Sequence, residues 1–126
     1  MDKKCFLTEK GPRALGPYST AVEAGQTVYL SGMLGICPDT GKLKDGGVLN
    51  QTEQVFENLR TVLAELGLSL KNVVKTTVFL ADMNDFSSVN ALYGEAFGQD
   101  FPARSCVQVA KLPMGAAIEV ECIAVR

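Results

Sequence analysis

The last two strand-like segments of this chain are apolar on both faces, and that pattern limits the folds open to it. Ala103 to Ala110 and Ala117 to Val125 place Val107, Val109, Ile118, Val120 and Cys122 with one parity, and Cys106, Ile123 and Val125 with the other. Successive strand residues point to opposite faces of a sheet, so both faces of this one demand cover. The helical periodicity elsewhere supplies two helices, enough for one face. Leaving the other in water forfeits about 1.5–3 kcal/mol per large apolar side chain. The pattern therefore predicts an obligate oligomer in which further copies of the chain cover the second face.

The remaining elements follow from local signals. Tyr18 to Ala24 and Thr27 to Gly32 flank Gly25-Gln26 and read as a strand pair joined by a two-residue turn. Gly35 to Gly47 reads as a Gly/Pro/Asp-rich loop. Asn50-Gln51-Thr52-Glu53 reads as a capping-box variant opening a helix, with Val55, Leu59, Val62, Leu63 and Leu66 at helical spacing and Gly67 closing it. Val73 to Leu80 is β-branched and apolar, as in a buried strand. A second helix spans Asp85 to Phe97, with Phe86, Val89, Tyr93 and Phe97 along one side and Gly98 beyond its end. Lys111 to Gly115 turns the chain between the last two strands. The order is β-β-α-β-α-β-β in one domain over residues 1–126, an α+β fold with a single mixed sheet and both helices on one face.

The chain has 126 residues, no histidine and a net charge of -2. Without histidine, Ser-His-Asp and Cys-His catalysis and most zinc sites are excluded, and any proton transfer falls to Glu, Asp, Tyr, Cys, Lys or Arg. The acidic balance and the absence of a basic stripe argue against nucleic acid as a partner. The N-terminal segment lacks the apolar stretch of a secretory signal, and no apolar run approaches the length of a membrane span. Cys5, Cys37, Cys106 and Cys122 are widely spaced, which suits reduced thiols in a cytoplasmic protein.

Two charged positions interrupt the strand pattern. Arg104 sits near the start of one late strand, and Glu119 lies with Glu121 on one face of what reads as the neighbouring strand. A guanidinium matches a carboxylate bidentately, so Arg104 could grip an acidic ligand, form a structural pair with Glu119 or Glu121, or lie on a solvated edge. Cys106 beside Arg104 could be an activated thiolate or an inert buried thiol. Tyr18 could be core or could line a pocket. The run Gly35 to Leu43 differs from a phosphate-binding loop in spacing and in having Leu43 at the metal-binding position. Gly11 to Pro17 carries no dinucleotide fingerprint.

Taken together, FPARSCVQVAKLPMGAAIEVECIAV, GPYSTAV, VYLSG, the PDTGKL loop, QTEQVFENLRTVL and KNVVKTTVFLADMNDFSSVNALYGEAF resemble the Rid (YjgF) family along the whole chain. The resemblance implies a chorismate-mutase-like fold assembled as a homotrimer, with three sheets forming a central barrel and the helices outside. It implies hydrolysis of reactive 2-enamino and 2-imino acids (2-aminoacrylate, 2-iminobutanoate) to 2-oxo acids and ammonia, with no cofactor and no metal. Matched position by position, Arg104 holds the substrate carboxylate and Glu119 positions the attacking water. Tyr18, Ser31, Gly32, Asn90 and Cys106 complete the substrate pocket. In the empty site Arg104 is expected to favour the ionised form of Glu119. The run Met33-Leu34-Gly35 departs from the family pattern beside the pocket and bears on substrate preference. The family also suggests two alternatives: a non-catalytic trimer that binds small carboxylates or acts as a chaperone, and an RNA-cleaving inhibitor of translation.

Overall fold

A computed structural model describes residues 2–126. Six strands form one mixed sheet: β1 (Lys3–Phe6), β2 (Ala21–Ala24), β3 (Thr27–Leu34), β6 (Val73–Leu80), β7 (Ala103–Gln108) and β8 (Ile118–Val125), in the spatial order β1-β2-β3-β8-β6-β7. A two-stranded hairpin, β4 (Ile36–Cys37) and β5 (Lys42–Leu43), occupies the segment expected to be a plain loop. Helices α1 (Val48–Glu65) and α2 (Phe86–Phe97) lie side by side against one face of the large sheet.

The core lies between helices and sheet. Val55, Leu59, Val62 and Leu63 of α1 meet Val28, Leu30, Val78, Leu80, Ile118 and Val120, all essentially inaccessible to water. Phe56, Tyr93 and Phe97 join the two helices through edge-on and tilted ring contacts, with centroids 4.7–5.8 Å apart. Thr76 and Tyr93, the polar members of this layer, satisfy each other through a 2.7 Å hydrogen bond. The opposite sheet face has no covering element. Tyr29 and Val107 stand 49% and 44% exposed there, with Ile123 and Val125 beside them.

Several expectations need correction. β7 and β8 are not neighbours: β6 lies between them, parallel to β7 and antiparallel to β8. The connection from β6 through α2 to β7 is a crossover, which requires parallel pairing and sends β7 to the sheet edge. Arg104 and Cys106 therefore face the helices, whereas Val107 faces the open side, the reverse of the expected grouping. Helix α1 starts two residues before Asn50. Gly47, at φ 93, turns the chain into Val48, and Asn50 instead donates from Nδ2 to the Asp45 carbonyl at 2.8 Å. β2 begins at Ala21 rather than Tyr18, because Ser31 draws the preceding residues into side-chain and backbone bonds at Ser19 and Thr20. β1 is an additional edge strand beyond the expected order, and Lys3 and Lys4 give it the polar pattern of a protected edge rather than that of a core strand.

Candidate active site

A cleft of about 540 Å³ opens on the uncovered side of the sheet, within the size range of small-molecule sites. Tyr18, Ser31, Gly32 and Glu119 line it together, joined by Arg13 and Leu15 from the Gly11 to Pro17 segment. Four of the seven residues assigned to the site by resemblance therefore converge here.

The wall bearing these residues is shaped by a β-bulge. Pairing between β3 and β8 runs Leu30 with Cys122 and then Met33 with Val120, so three steps on β3 oppose two on β8. The extra residue falls at Ser31-Gly32. Ser31 is held by its Oγ donating to the Ser19 carbonyl at 2.7 Å and its N–H donating to the Thr20 carbonyl at 2.9 Å. Gly32 then meets Glu119 with no side chain between them. A Cβ at Gly32 would lie 2.7 Å from Glu119 Cδ and 2.8 Å from its Oε2, too close for any real contact. Glycine at this position is what lets the carboxylate occupy its place on the cleft wall.

Glu119 is partly buried, and burial pushes its carboxyl above the ordinary range, with the neighbouring Glu121 carboxylate adding to the rise. Both glutamates line the cleft, so the expected placement of two carboxylates on one face holds. Within one chain the expected influence of Arg104 is absent. Arg104 is on the helix side of β7, two strands away on the opposite sheet face, and forms no ion pair with Glu119 or Glu121. Among the described residues the one ion pair joins Arg126 to Glu23.

Arg104, Asn90 and Cys106 form a second cluster at the β7 edge. The Arg104 guanidinium lies 4.7 Å from the Tyr93 ring centroid and 5.4 Å from that of Phe86, and it donates to Asn90 Oδ1 at 2.7 Å. Stacking and hydrogen bonding fix one side of the fork, and its remaining donors are available to a ligand. Cys106 stands beside it, and burial raises its thiol against the smaller lowering effect of Arg104. The thiol thus stays protonated near neutral pH, and the activated-thiolate reading is set aside. Cys122, deeper in the core, is pushed up to about 12 by burial and then by Glu121.

The Met33-Leu34-Gly35 departure is mainly a packing feature. Met33 and Leu34 are buried at 5% and 6% exposure, and a Cβ on Gly35 would lie 2.6 Å from the Gln51 backbone oxygen of α1. Residue-level reading did not single out Arg13, Leu15 or Pro113 as cleft residues. The one signal for the first two was their position between Pro12 and Gly16-Pro17, a composition that holds a loop tightly.

Known proteins resemble the chain throughout. Residues 8–126 match the family model described as endoribonuclease L-PSP. Reactive Intermediate Deaminase A, chloroplastic, of Arabidopsis thaliana is 51% identical over 122 residues; the match covers 97% of this chain and 65% of that protein, so this chain spans just under two thirds of its length. The 2-iminobutanoate/2-iminopropanoate deaminase of Mus musculus is 48% identical over 124 residues, covering 98% of this chain and 92% of that one. The crystal structure of E. coli TdcF with bound serine superposes with a TM-score of 0.90 at 39% identity, covering 98% of each chain.

Proposed function

The chain belongs to the endoribonuclease L-PSP family, the Rid (YjgF) family of the resemblance, and on that premise we propose that it is a 2-iminobutanoate/2-iminopropanoate deaminase. It hydrolyses reactive 2-imino acids, and the enamines that tautomerise to them, into 2-oxo acids and ammonia. The observation that carries this reading is Glu119: a partly buried carboxyl with a raised pKa, facing a cleft large enough for a small acid. A carboxylate whose pKa is raised above the ordinary value is a better proton acceptor from water than a solvated one.

The reaction asks for three things. The substrate carboxylate must be held, water must be aimed at the imine carbon, and nitrogen must leave protonated. Arg104, with Asn90 fixing its fork, is the anchor. Glu119 orients water and takes its proton as oxygen bonds to the imine carbon, then passes that proton to the nitrogen. The resulting carbinolamine collapses as Glu119 takes the hydroxyl proton and delivers it to the nitrogen: C=O forms, the C–N bond breaks, ammonia departs and the carboxylate is restored. Tyr18, Ser31, Gly32 and Cys106 shape the space around the reacting atoms. No electrons are transferred, so the reading calls for no cofactor.

Within one chain Arg104 and Glu119 lie on opposite sides of the sheet and cannot act on one small molecule. A homotrimer answers this. The uncovered apolar face gives a reason to associate, and the β7 edge of one copy brought to the cleft of the next unites the two half-sites. Among the described residues no helix is long and apolar enough to cross a membrane. Free thiols at all four cysteines support a reducing compartment, in our reading the cytoplasm.

The RNA-cleaving alternative has little to rest on here, since the chain has no histidine and a net charge of -2. The test couples a threonine dehydratase to the protein and follows 2-oxobutanoate while semicarbazide traps the free imine. Flux diverted from the trapped adduct to the 2-oxo acid supports the deaminase. An unchanged partition, with carboxylate binding retained, moves the function to the non-catalytic alternative.

A further inference from the structure

Arg13 is a cation that the proposed chemistry does not use. It lines the same cleft as Glu119 and Glu121, its side chain is exposed, and it takes no part in the one ion pair found among the described residues. Its backbone is nevertheless held on both sides. Two residues before it, Gly11 is buried and donates its N–H to Thr8 Oγ1 at 2.8 Å. Thr8 in turn donates to Glu65 at the end of α1, and its N–H donates to Thr20 Oγ1 at 3.0 Å. Two residues after Arg13, Leu15 donates its N–H to the Tyr18 hydroxyl at 3.1 Å. Arg13 thus springs from a strap tied down on either side, which keeps its guanidinium within reach of the cleft.

The charges make this placement consequential. Any 2-imino acid is an anion, and the cleft presents it with two carboxylates. Arg13 is the single cationic side chain lining that cleft. If Arg104 takes the carboxylate next to the reacting carbon, Arg13 is left for negative charge elsewhere on the substrate. Of the apolar residues of the wall, Met33, Leu34 and Ile36 are turned into the protein, while Leu15 and Tyr18 stand exposed beside Arg13 and can flank the aliphatic stem of a longer substrate.

We infer that Arg13 is a specificity-determining residue that engages a second carboxylate, so that the cleft admits four- and five-carbon 2-imino dicarboxylic acids. The inference rests on the deaminase reading for its substrate class. Its binding consequence can be measured without turnover. A guanidinium and a carboxylate at a partly solvated site add modest but salt-sensitive affinity.

The experiment measures dissociation constants for 2-oxoglutarate and 2-oxobutanoate, stable analogues of the two substrate types, by calorimetry on the intact oligomer at low and high salt. The expected result is a preference for 2-oxoglutarate that falls about three- to tenfold in Arg13→Ala, recovers in part in Arg13→Lys and shrinks with added salt. If the ratio of the two constants is the same in the unaltered protein and Arg13→Ala, the inference is overturned, whether both affinities fall together or neither moves. Turnover of 2-iminobutanoate, assayed in parallel, reports separately on the deaminase reading. Loss of that activity with an Arg13-dependent binding ratio would remove the reaction and keep the dicarboxylate site.

Discussion

Gly32 and Glu119 touch: a Cβ on the glycine would lie 2.7 Å from the Cδ of the glutamate, and the β-bulge at Ser31-Gly32 brings them together. The side chain that must yield to any larger residue is the carboxylate itself. Gly32→Ala is therefore expected to cost little stability but to displace Glu119 from the cleft wall. Misplacing a reacting group by about 1 Å can lower turnover by about 100-fold. Steady-state kinetics should show kcat falling by one to two orders of magnitude with KM changing far less, while the melting temperature stays close to that of the unaltered protein.

The raised carboxyl of Glu119 predicts a pH effect of definite sign. Its pKa in the folded protein exceeds the ordinary 4.5, so the folded state binds more protons than the unfolded chain above that pH, and stability falls as pH rises through the window from 4.5 to the folded value. Glu119→Gln removes the penalty, so its melting temperature should exceed that of the unaltered protein at pH 7 and the gap should close below pH 4. Glu121→Gln, by removing the like charge, should move the acid limb of kcat/KM toward lower pH. A limb that stays in place would assign the rise to burial alone.

Asn90 accepts from Arg104 at 2.7 Å and fixes the orientation of its fork against Tyr93 and Phe86. A hydrogen bond to a charged group contributes about 1.5–3 kcal/mol. Asn90→Ala should therefore raise KM by about tenfold or more while the oligomer survives, and Arg104→Ala should remove most of kcat/KM. Initial-rate measurements over a substrate series distinguish the two.

Val107 stands 44% exposed on the uncovered sheet face. In an isolated chain a charge there is harmless. If other copies cover the face, Val107→Asp buries an unpaired carboxylate, and analytical ultracentrifugation should show dissociation toward the 13.5 kDa chain together with loss of deaminase activity. An Asp variant that sediments like the unaltered protein would remove this face from the interface.

Asn58 is buried at 1% exposure between α1 and the β4 hairpin. It donates to the carbonyls of Leu34 and Ile36 at 3.1 and 2.8 Å and accepts from Gln54 at 2.9 Å. Asn58→Leu strands both carbonyls and should cost about 1–3 kcal/mol, read as a lowered midpoint in urea. Because Leu34 and Ile36 also line the cleft, KM should rise with it.

Much of this molecule was legible in its sequence. Helical spacing from Val55 to Leu66 and from Phe86 to Phe97, and the β-branched run Val73 to Leu80, identified their elements because burial acts on a local period. The two-sided apolar pattern of Ile118, Val120, Ile123 and Val125 exposed the need to cover a second sheet face, and motif resemblance pointed to Arg104 and Glu119. Strand order was not legible. Adjacent segments such as β7 and β8 look like a hairpin in one dimension, and only the crossover through α2 put β6 between them. That single fact left Arg104 and Glu119 on opposite faces of one chain, so that within it burial and Glu121 raise the carboxyl; Arg13 reaches the cleft separately, on the segment before β2. Local periodicity records which side chains avoid water. Which of them meet is set by non-local pairing, and that becomes definite only when the chain closes on itself.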